Sequence, residues 1–238
     1  MNEASITRNT MKKRTRDYFV TGTDTEIGKT LISAALLEVF RRCDCSTIGM
    51  KPVAAGATWL DGAWHNEDVD LLMAASSVQA DIDLIAPYLM QIPAAPHLVA
   101  ALENRQISVA HIQSCYARLT EKAEVVIVEG VGGFCVPLNA ELTTLDLAQQ
   151  LALPVVLVVG MRLGCINHAL LTAQAIEAAG LHLAGWVANT VDPDMGYLNE
   201  NVTALMERLP APLLGRIPRM AEPSAEQVAD LIDVSLLK

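Results

Sequence analysis

The feature that most constrains this chain is a glycine-bounded loop, G-T-D-T-E-I-G-K-T at residues 22–30, which lies between mostly apolar runs at 18–20 and 31–37. Such a loop between a strand and a helix is typical of phosphate binding, because glycine lets backbone N–H groups turn towards an anion at the helix N-terminus. Lys29 would then reach the outer phosphates, and the Thr30 hydroxyl would bind Mg²⁺. The competing interpretation is a glycine turn followed by an exposed Lys-Thr pair.

The loop is one residue longer than the usual phosphate-binding pattern. Five residues separate Gly22 from Gly28, where the usual pattern has four. We expect the extra residue to be tolerated, because only the end of the loop, from Gly28 onwards, grips the phosphate.

Length and composition favour one α/β domain. The chain has 238 residues, of which 52% are hydrophobic but only 4% aromatic. Its core must therefore consist of Val, Leu, Ile and Ala, which are typical of strands buried on both faces and of the helices that cover them. A chain of this length can bury a large core as a single domain.

Six short apolar runs predict strands, and segments of helical length lie between them. The predicted strands are residues 18–21, 47–53, 125–129, 155–159, 183–189 and 213–217. Predicted helices include 29–41 and 167–179, the second with Asn167 as its N-cap and Gly180 just past its end. The alternation predicts a single-domain α/β fold with a mostly parallel sheet, helices on both faces and a ligand site at the carboxyl ends of the strands, as in phosphate-loop NTPases.

The net charge argues against several classes of partner. The formal charge is −10, whereas binding to nucleic acid or to an acidic membrane surface needs an excess of Lys and Arg. We therefore expect small-molecule partners, with no nucleic acid and no membrane. Five cysteines without paired spacing fit free, buried thiols in a reducing compartment, which predicts a cytoplasmic protein.

Residues 1–16 differ from the rest of the chain. They are polar and basic, and they contain no apolar segment of the length that a signal peptide needs. We expect them to form a disordered leader, with Met11 as an alternative start, and residues 17–238 to form the α/β domain.

A second chemical element ends the predicted strand at 125–129, where four apolar residues precede Glu129 and the glycine-rich stretch 130–133 follows. In phosphate-loop enzymes a carboxylate at such a strand end completes the metal shell, so Glu129 is a predicted Mg²⁺ ligand. Taken alone, the pattern also fits a strand that ends in a surface glutamate. The glycines would let the chain pass close to a phosphate or a substrate.

Lys51 lies within the predicted strand 47–53, near its end. Lysine resists burial unless it meets an anion, so this position beside a triphosphate predicts a role in phosphate chemistry. The alternative is a lysine whose ammonium group reaches solvent from a strand end.

An acidic stretch, H-N-E-D-V-D at 65–70, follows in the sequence. By spacing alone, three carboxylates are equally placed to join a metal site: Glu67, Asp68 and Asp70. A solvated helix start is the simpler explanation of the same residues.

Five segments, in this order, resemble the dethiobiotin synthetase family of biotin synthesis. They are G-T-D-T-E-I-G-K-T at 22–30, G-M-K-P-V-A at 49–54, V-E-G-V-G-G at 128–133, L-G-C-I-N-H-A-L-L-T-A-Q at 163–174 and G-W-V-A-N at 185–189. The resemblance runs from about Tyr18 to about Glu222, and the longer loop spacing is itself a feature of that family. It implies an ATP- and Mg²⁺-dependent cyclo-ligase that converts 7,8-diaminopelargonate and CO₂ to dethiobiotin, with release of ADP and phosphate.

The resemblance also implies roles for individual residues. Lys29 and Lys51 match the catalytic lysines, with Lys51 holding a carbamate intermediate, and the metal ligands match Thr30, Asp68 and Glu129. The implied ATP-binding residues are Thr25, Glu26, Ile27, Gly28, Lys29, Thr30, Glu129, Gly130, Val131, Gly132, Asn189, Thr190, Pro218 and Arg219. The implied substrate-binding residues are Lys51, Ala55, Gly164, Cys165, Ile166 and Asn167.

Three of these implied contacts concern the far ends of the ligands, namely the adenine of ATP and the distant carboxylate of the substrate. Asn189 resembles the residue whose amide reads the adenine edge, and Pro218 and Arg219 fall where the family closes over the base. The helix N-terminus at 164–167 resembles one that receives the distant carboxylate of a substrate bound to the neighbouring subunit. The resemblance therefore implies a homodimer with its sites at the interface.

One substrate contact departs from the family pattern. Ala55 stands two residues beyond Val53, where the family often has serine, so one expected hydrogen bond is missing. Such a bond contributes about 1 kcal/mol. Thr58, three residues further on, is a candidate replacement.

Two alternative functions stay open at this point. A phosphate-loop switch ATPase of the partitioning type shares the fold, but the signature lysine near the start of its loop is absent from residues 23–26. A related ATP-dependent ligase for another substrate would share all the phosphate chemistry and would differ only in the substrate pocket.

Overall fold

The structure is a computed structural model that describes residues 16–237. Its strands are β1 (Tyr18–Gly22), β2 (Thr47–Met50), β3 (Val53–Ala54), β4 (Thr58–Leu60), β5 (Ala63–His65), β6 (Tyr88–Leu89), β7 (Val125–Glu129), β8 (Val155–Met161), β9 (Leu183–Thr190) and β10 (Leu213–Ile217). Six of them form a parallel sheet in the order β10-β9-β8-β1-β7-β2. The predicted fold class is confirmed.

Helices connect these strands. They are α1 (Lys29–Arg42), α2 (Glu67–Ala75), α3 (Ile82–Ile85), α4 (Pro96–Leu102), α5 (Val109–Thr120), α6 (Thr144–Leu151), α7 (Cys165–Ala178), α8 (Leu198–Met206) and α9 (Ala225–Ala229), followed by a 3₁₀ turn at Val234–Leu236. None of the helices in residues 16–237 is long and apolar enough to cross a membrane.

The core lies on both faces of the sheet, because successive residues of a strand point to opposite sides. Phe19, with its neighbours on one face, belongs to a cluster that includes residues of α5, α6 and α7. Val20 and Ile127 belong to a second cluster with residues of α1 and α9. The apolar strands of the sequence are thus explained by burial on two sides.

The strand predicted at 47–53 is wrong in its extent, because β2 ends at Met50. The Lys51 N–H leaves the sheet and donates to the Ile85 carbonyl at 2.8 Å, and Pro52 has no N–H to offer a strand neighbour. The chain then forms β3, which pairs with β6 outside the main sheet. Lys51 therefore lies just past the carboxyl end of a buried strand.

Three further sequence-based expectations need correction or limits. Helix α7 begins at Cys165, with Gly164 (φ 96°) as its N-cap, so Asn167 lies in the first turn and is not the cap. Cys43 and Cys135 are exposed, so the cysteines are not uniformly buried. Residues 1–15 of the predicted leader lie outside the described residues, and the leader stays a prediction.

The C-terminal segment packs against the outer strand of the sheet. Gly215 of β10 forms an antiparallel bridge with Ile232, and a Cβ at position 215 would lie 2.4 Å from the Leu231 carbonyl oxygen. Arg42 of α1 donates to Asp230 at 2.6 Å on the same segment. Glycine is required at 215 because the two backbones approach so closely.

We expect Gly215→Ala to lower the free energy of unfolding by about 1–3 kcal/mol, because the added methyl group forces the backbone of 231–232 away from β10. Gly196→Ala is the matched control, since no atom lies within 4 Å of a Cβ placed there. Urea denaturation of both variants gives the measurement. Equal stability of the two variants would contradict the close approach.

Candidate active site

The loop at 22–30 forms a tight cradle between β1 and α1. Gly28 is the N-cap of α1 and has a left-handed backbone (φ 83°), while Glu26 is also left-handed (φ 56°). A side chain at Gly28 would be strained for this reason. The Lys29 ammonium group folds back and donates to the Asp24 carbonyl at 2.8 Å. The exposed N–H groups of the helix start and the lysine together make an anion-binding geometry.

Three charged side chains meet at the carboxyl edge of the sheet. Lys51 Nζ lies 2.5 Å from Glu129 Oε1 and 2.8 Å from Asp68 Oδ2, and it also donates to the Gly130 carbonyl at 3.3 Å. Lys51 and Glu129 are buried, so either charge would destabilise the fold if it were buried without the other. The parallel order β1-β7-β2 brings their strand ends together.

The Thr30 hydroxyl completes this cluster on the side of the loop. Its oxygen lies 2.7 Å from Asp68 Oδ1 and 2.8 Å from Glu129 Oε1. One hydroxyl hydrogen can serve only one of these two acceptors. Two carboxylates therefore lie within hydrogen-bonding distance of the same hydroxyl oxygen.

These oxygens fit a magnesium ion. Glu129 Oε2 is buried and has no hydrogen-bond partner among the described residues. Residues 16–237 contain no group of three or more His, Cys, Asp or Glu side chains that could hold a metal by themselves. A hydroxyl with two carboxylates matches Mg²⁺, which usually takes one or two carboxylates and leaves other positions to water and substrate phosphates.

The two lysines have opposite electrostatic environments. Burial lowers the pKa of Lys29 to about 8, and the nearby Lys51 ammonium also lowers it. Burial likewise opposes the charge of Lys51, but the Glu129 and Asp68 carboxylates outweigh it and raise the pKa of Lys51 above its usual value. Lys51 is thus firmly protonated, whereas Lys29 carries a charge that an anion would stabilise.

A cavity of about 890 Å³ opens over the loop and the charged cluster. It contains most of the predicted site residues: Thr25, Glu26, Gly28, Lys29, Thr30, Lys51, Ala55, Asp68, Glu129, Val131 and Gly132. A second cavity of about 660 Å³ shares Thr25 and Glu26 with it and is lined by Arg219 and Arg162. The two cavities therefore flank the same loop.

Comparison with known proteins identifies the family. A family model described as an AAA domain matches residues 16–227. The ATP-dependent dethiobiotin synthetase BioD of Aromatoleum aromaticum is 55% identical over 214 residues, which cover 90% of this chain and 95% of that protein. The protein of the same name from Janthinobacterium sp. (strain Marseille) is 52% identical over 227 residues, which cover 94% of this chain and 96% of that protein. The chain belongs to the dethiobiotin synthetase family.

Solved structures of low sequence identity share the fold of this synthetase family member. A chain of the MinC:MinD cell division protein complex of Aquifex aeolicus superposes with a TM-score of 0.56 at 13% identity, and covers 87% of this chain and 82% of that one. A ParA family ATPase from Chlorobium tepidum superposes with a TM-score of 0.54 at 14% identity, and covers 87% and 86%. At these identities the likeness shows the fold alone.

Some residues predicted for a dethiobiotin synthetase site lie outside both cavity linings. Ile27 belongs to the loop but its side chain is buried, and Asn189 lies beneath the loop, where its Nδ2 donates to the Ile27 carbonyl at 2.7 Å. Gly130 contributes its carbonyl to Lys51, as described above. Thr190 ends β9 and Pro218 follows β10. The start of α7 (Gly164, Cys165, Ile166 and Asn167) lines neither cavity.

Sequence reasoning missed one wall of the large cavity. We call these small or apolar residues the apolar wall, and they come from one strand, two helices and three loops: Ala54 of β3, Leu71 of α2, Pro96 of α4, and Pro93, Ala94, Ala95, Val136 and Pro223 of the loops. The available signal was the P-A-A-P stretch at 93–96, whose prolines mark a loop directly before a helix. Thr58, the proposed replacement for the missing serine, is exposed on β4 and does not line this cavity.

We expect Lys51→Met to lower the free energy of unfolding by about 3–5 kcal/mol, because it leaves the buried Glu129 carboxylate without its partner. A second substitution, Glu129→Gln, in the same chain should recover much of this loss. Lys29→Met is the control and should cost much less, because the charge of Lys29 is already disfavoured by burial. Denaturant unfolding at pH 7 measures all three variants, and similar losses for both lysines would contradict the assigned pairing.

Proposed function

We propose that this chain catalyses the ATP-dependent carboxylation and ring closure of 7,8-diaminopelargonate with CO₂, which yields dethiobiotin, ADP and phosphate in biotin synthesis. Membership of the dethiobiotin synthetase family supports this function. The observation that carries it is the buried Lys51 ammonium, which lies at the edge of a cavity that also contains the phosphate loop. Two lysines at one such site suit a reaction that joins a carbamate to a phosphoryl group.

The reaction needs three bond exchanges. One amine attacks CO₂ to form a carbamate, and a carbamate oxygen then attacks the γ-phosphorus while ADP leaves. The second amine attacks the carbonyl carbon of the resulting mixed anhydride, and phosphate leaves as the ring closes. Phosphoryl transfer depends mainly on positioning and on charge stabilisation, for which Lys29 would hold the outer phosphates and Lys51 the carbamate.

We propose that Thr30, Asp68 and Glu129 hold Mg²⁺. The support is the convergence of their oxygens and the unpartnered Glu129 Oε2 described above. The ion would neutralise negative charge on the nucleotide phosphates. The Asp68 and Glu129 carboxylates also contact Lys51. They therefore hold the Lys51 ammonium group next to the proposed metal site.

The apolar wall fits the hydrocarbon chain of the substrate. Ala95 of this wall and Ala55, which also lines the cavity, offer no side-chain hydrogen bond, so the diamine would be held there by shape and apolar contact. The Ala55 carbonyl accepts a hydrogen bond from Asn66 at 3.0 Å, which holds this part of the cavity lining next to α2. Loss of the serine hydroxyl is therefore compatible with catalysis at weaker substrate affinity.

We propose a homodimer in which the start of α7 from one subunit receives the distant carboxylate of a substrate bound to the other. The support within this chain is that residues 164–167 line neither cavity of their own subunit. Two large apolar side chains beside them, Leu163 and Leu171, are 92% and 57% exposed. Such exposure next to a helix start fits contact with a second copy.

The partitioning-type switch ATPase is the less favoured alternative. A switch ATPase of this type would have the same fold. The structural similarity to MinD and to a ParA family ATPase shows that fold alone and does not favour the switch function. A related ligase for another substrate differs only at the apolar wall.

The deciding measurement is phosphate release from Mg-ATP with bicarbonate, with and without 7,8-diaminopelargonate, together with product mass. We expect release that depends on the diamine and yields the ring-closed product. Lys29→Ala should abolish turnover, because the outer phosphates lose their cation. Lys122→Ala, at an exposed position, is the control. Equal phosphate release with and without the diamine would contradict the proposal, and so would full activity of Lys29→Ala.

We expect Glu129→Gln to raise the Mg²⁺ concentration needed for half-maximal activity by tenfold or more, because a neutral amide is a poorer ligand for this hard cation. Asp70→Asn is the matched control, since Asp70 contacts His65 at 3.1 Å and lies outside the large cavity. Steady-state rates over a Mg²⁺ titration provide the measurement. An unchanged requirement in Glu129→Gln would count against metal binding by this residue.

A further inference from the structure

The Asn189 side chain contacts the phosphate loop from below. Asn189 is 8% exposed at the end of β9, and its Nδ2 donates to the Ile27 carbonyl at 2.7 Å. A carbonyl oxygen only accepts hydrogen bonds, so chemistry fixes the amide orientation with Nδ2 towards the loop. The amide oxygen Oδ1 is then the group left to accept a bond from a ligand.

The loop residues at this contact have little room to move. The Ile27 side chain is buried, and a Cβ on Gly160 or Gly22 would lie 2.5 Å or 2.6 Å from it. A Cβ on Gly28 would lie 2.4 Å from Asn189 Nδ2. The peptide between Ile27 and Gly28 is thus held by the buried Ile27 side chain and by the Asn189 amide.

The direction of this peptide decides where its N–H points. In a trans peptide the C=O of one residue and the N–H of the next point in opposite directions. Because Asn189 holds the Ile27 carbonyl, the Gly28 N–H is turned away from Asn189. Gly28 is also the N-cap of α1, where backbone N–H groups bind anions.

We infer that Asn189 is a positioning residue for the phosphate loop, in addition to any contact with a nucleotide base. It sets the Ile27–Gly28 peptide in the orientation that binds phosphate, and it does so whether or not the ligand carries a base. The inference rests on the proposed ATP site. It extends the expected role of Asn189, which was limited to reading the adenine edge.

Inorganic tripolyphosphate separates the two roles, because it carries the phosphates of ATP without a base. We expect Asn189→Ala to weaken Mg-tripolyphosphate binding at least tenfold in calorimetry, and to lower kcat at saturating Mg-ATP. Asn189→Asp keeps the side-chain size but sets a carboxylate against the Ile27 carbonyl, so it should weaken tripolyphosphate at least as much. Thermal unfolding of both variants checks that the protein is folded. If Asn189→Ala does not fold, the binding measurement is made on Asn189→Asp.

Arg219→Ala is the matched control. Arg219 lines the second cavity and is exposed, with no contact to the Ile27–Gly28 peptide among its described interactions. We expect this variant to weaken ATP binding while tripolyphosphate affinity stays within twofold of the unmodified protein. The contrast between positions 189 and 219 isolates the effect on the loop.

Each result has a defined meaning. Tripolyphosphate affinity that is unchanged in folded Asn189 variants, with only ATP weakened, would overturn the inference and leave Asn189 as a base-reading residue. Failure of the unmodified protein to bind either ATP or tripolyphosphate would instead overturn the proposed ATP site. Weakening of tripolyphosphate at position 189 but not at 219 would support the positioning role.

Discussion

The buried ion pair between Lys51 and Glu129, with Asp68 beside it, is the interaction on which the site depends. Neither charge is stable in the interior alone, so the ends of β2 and β7 and the first turn of α2 must meet. The same contact places the Lys51 ammonium, a hydroxyl and two carboxylates around one point at the edge of the cavity. The electrostatic requirement of the fold and the chemical requirement of the proposed reaction are therefore met by the same atoms.

A parallel sheet makes this arrangement possible. All its strands end at the same edge, where turns are free to carry polar groups while the strands themselves stay apolar. The phosphate loop follows β1 at the centre of the sheet. Lys51 follows β2 on one side of it, and Asn189 lies near the end of β9 on the other side. The loop is therefore contacted from both sides. The Glu129 carboxylate accepts a hydrogen bond from Thr30, and the Asn189 amide donates one to the Ile27 carbonyl.

Prediction from sequence was accurate where the signal was local. The strand before the loop at 22–30, the helix after it and the bounds of β7 and β10 all follow from glycine chemistry and apolar periodicity over short stretches. It was less accurate where local signals compete. Strand β2 stops at Met50 because the Lys51 N–H finds Ile85, a partner 34 positions away in the chain. Helix α7 starts at a left-handed glycine rather than at Asn167, the stronger cap by residue type.

The sequence by itself determined the α/β fold class, the nucleotide loop and the family, because each depends on residue type and spacing within continuous segments. Only the tertiary structure decided which distant residues meet. Lys51 reaches Glu129 across 78 positions, and Asn189 reaches Ile27 across 162. Spacing alone left Asp68 equivalent to Glu67 and Asp70, and it gave no reason to place Ala94 and Ala95 in the lining of the large cavity. Contacts of this kind follow from strand order and packing, which no local propensity specifies.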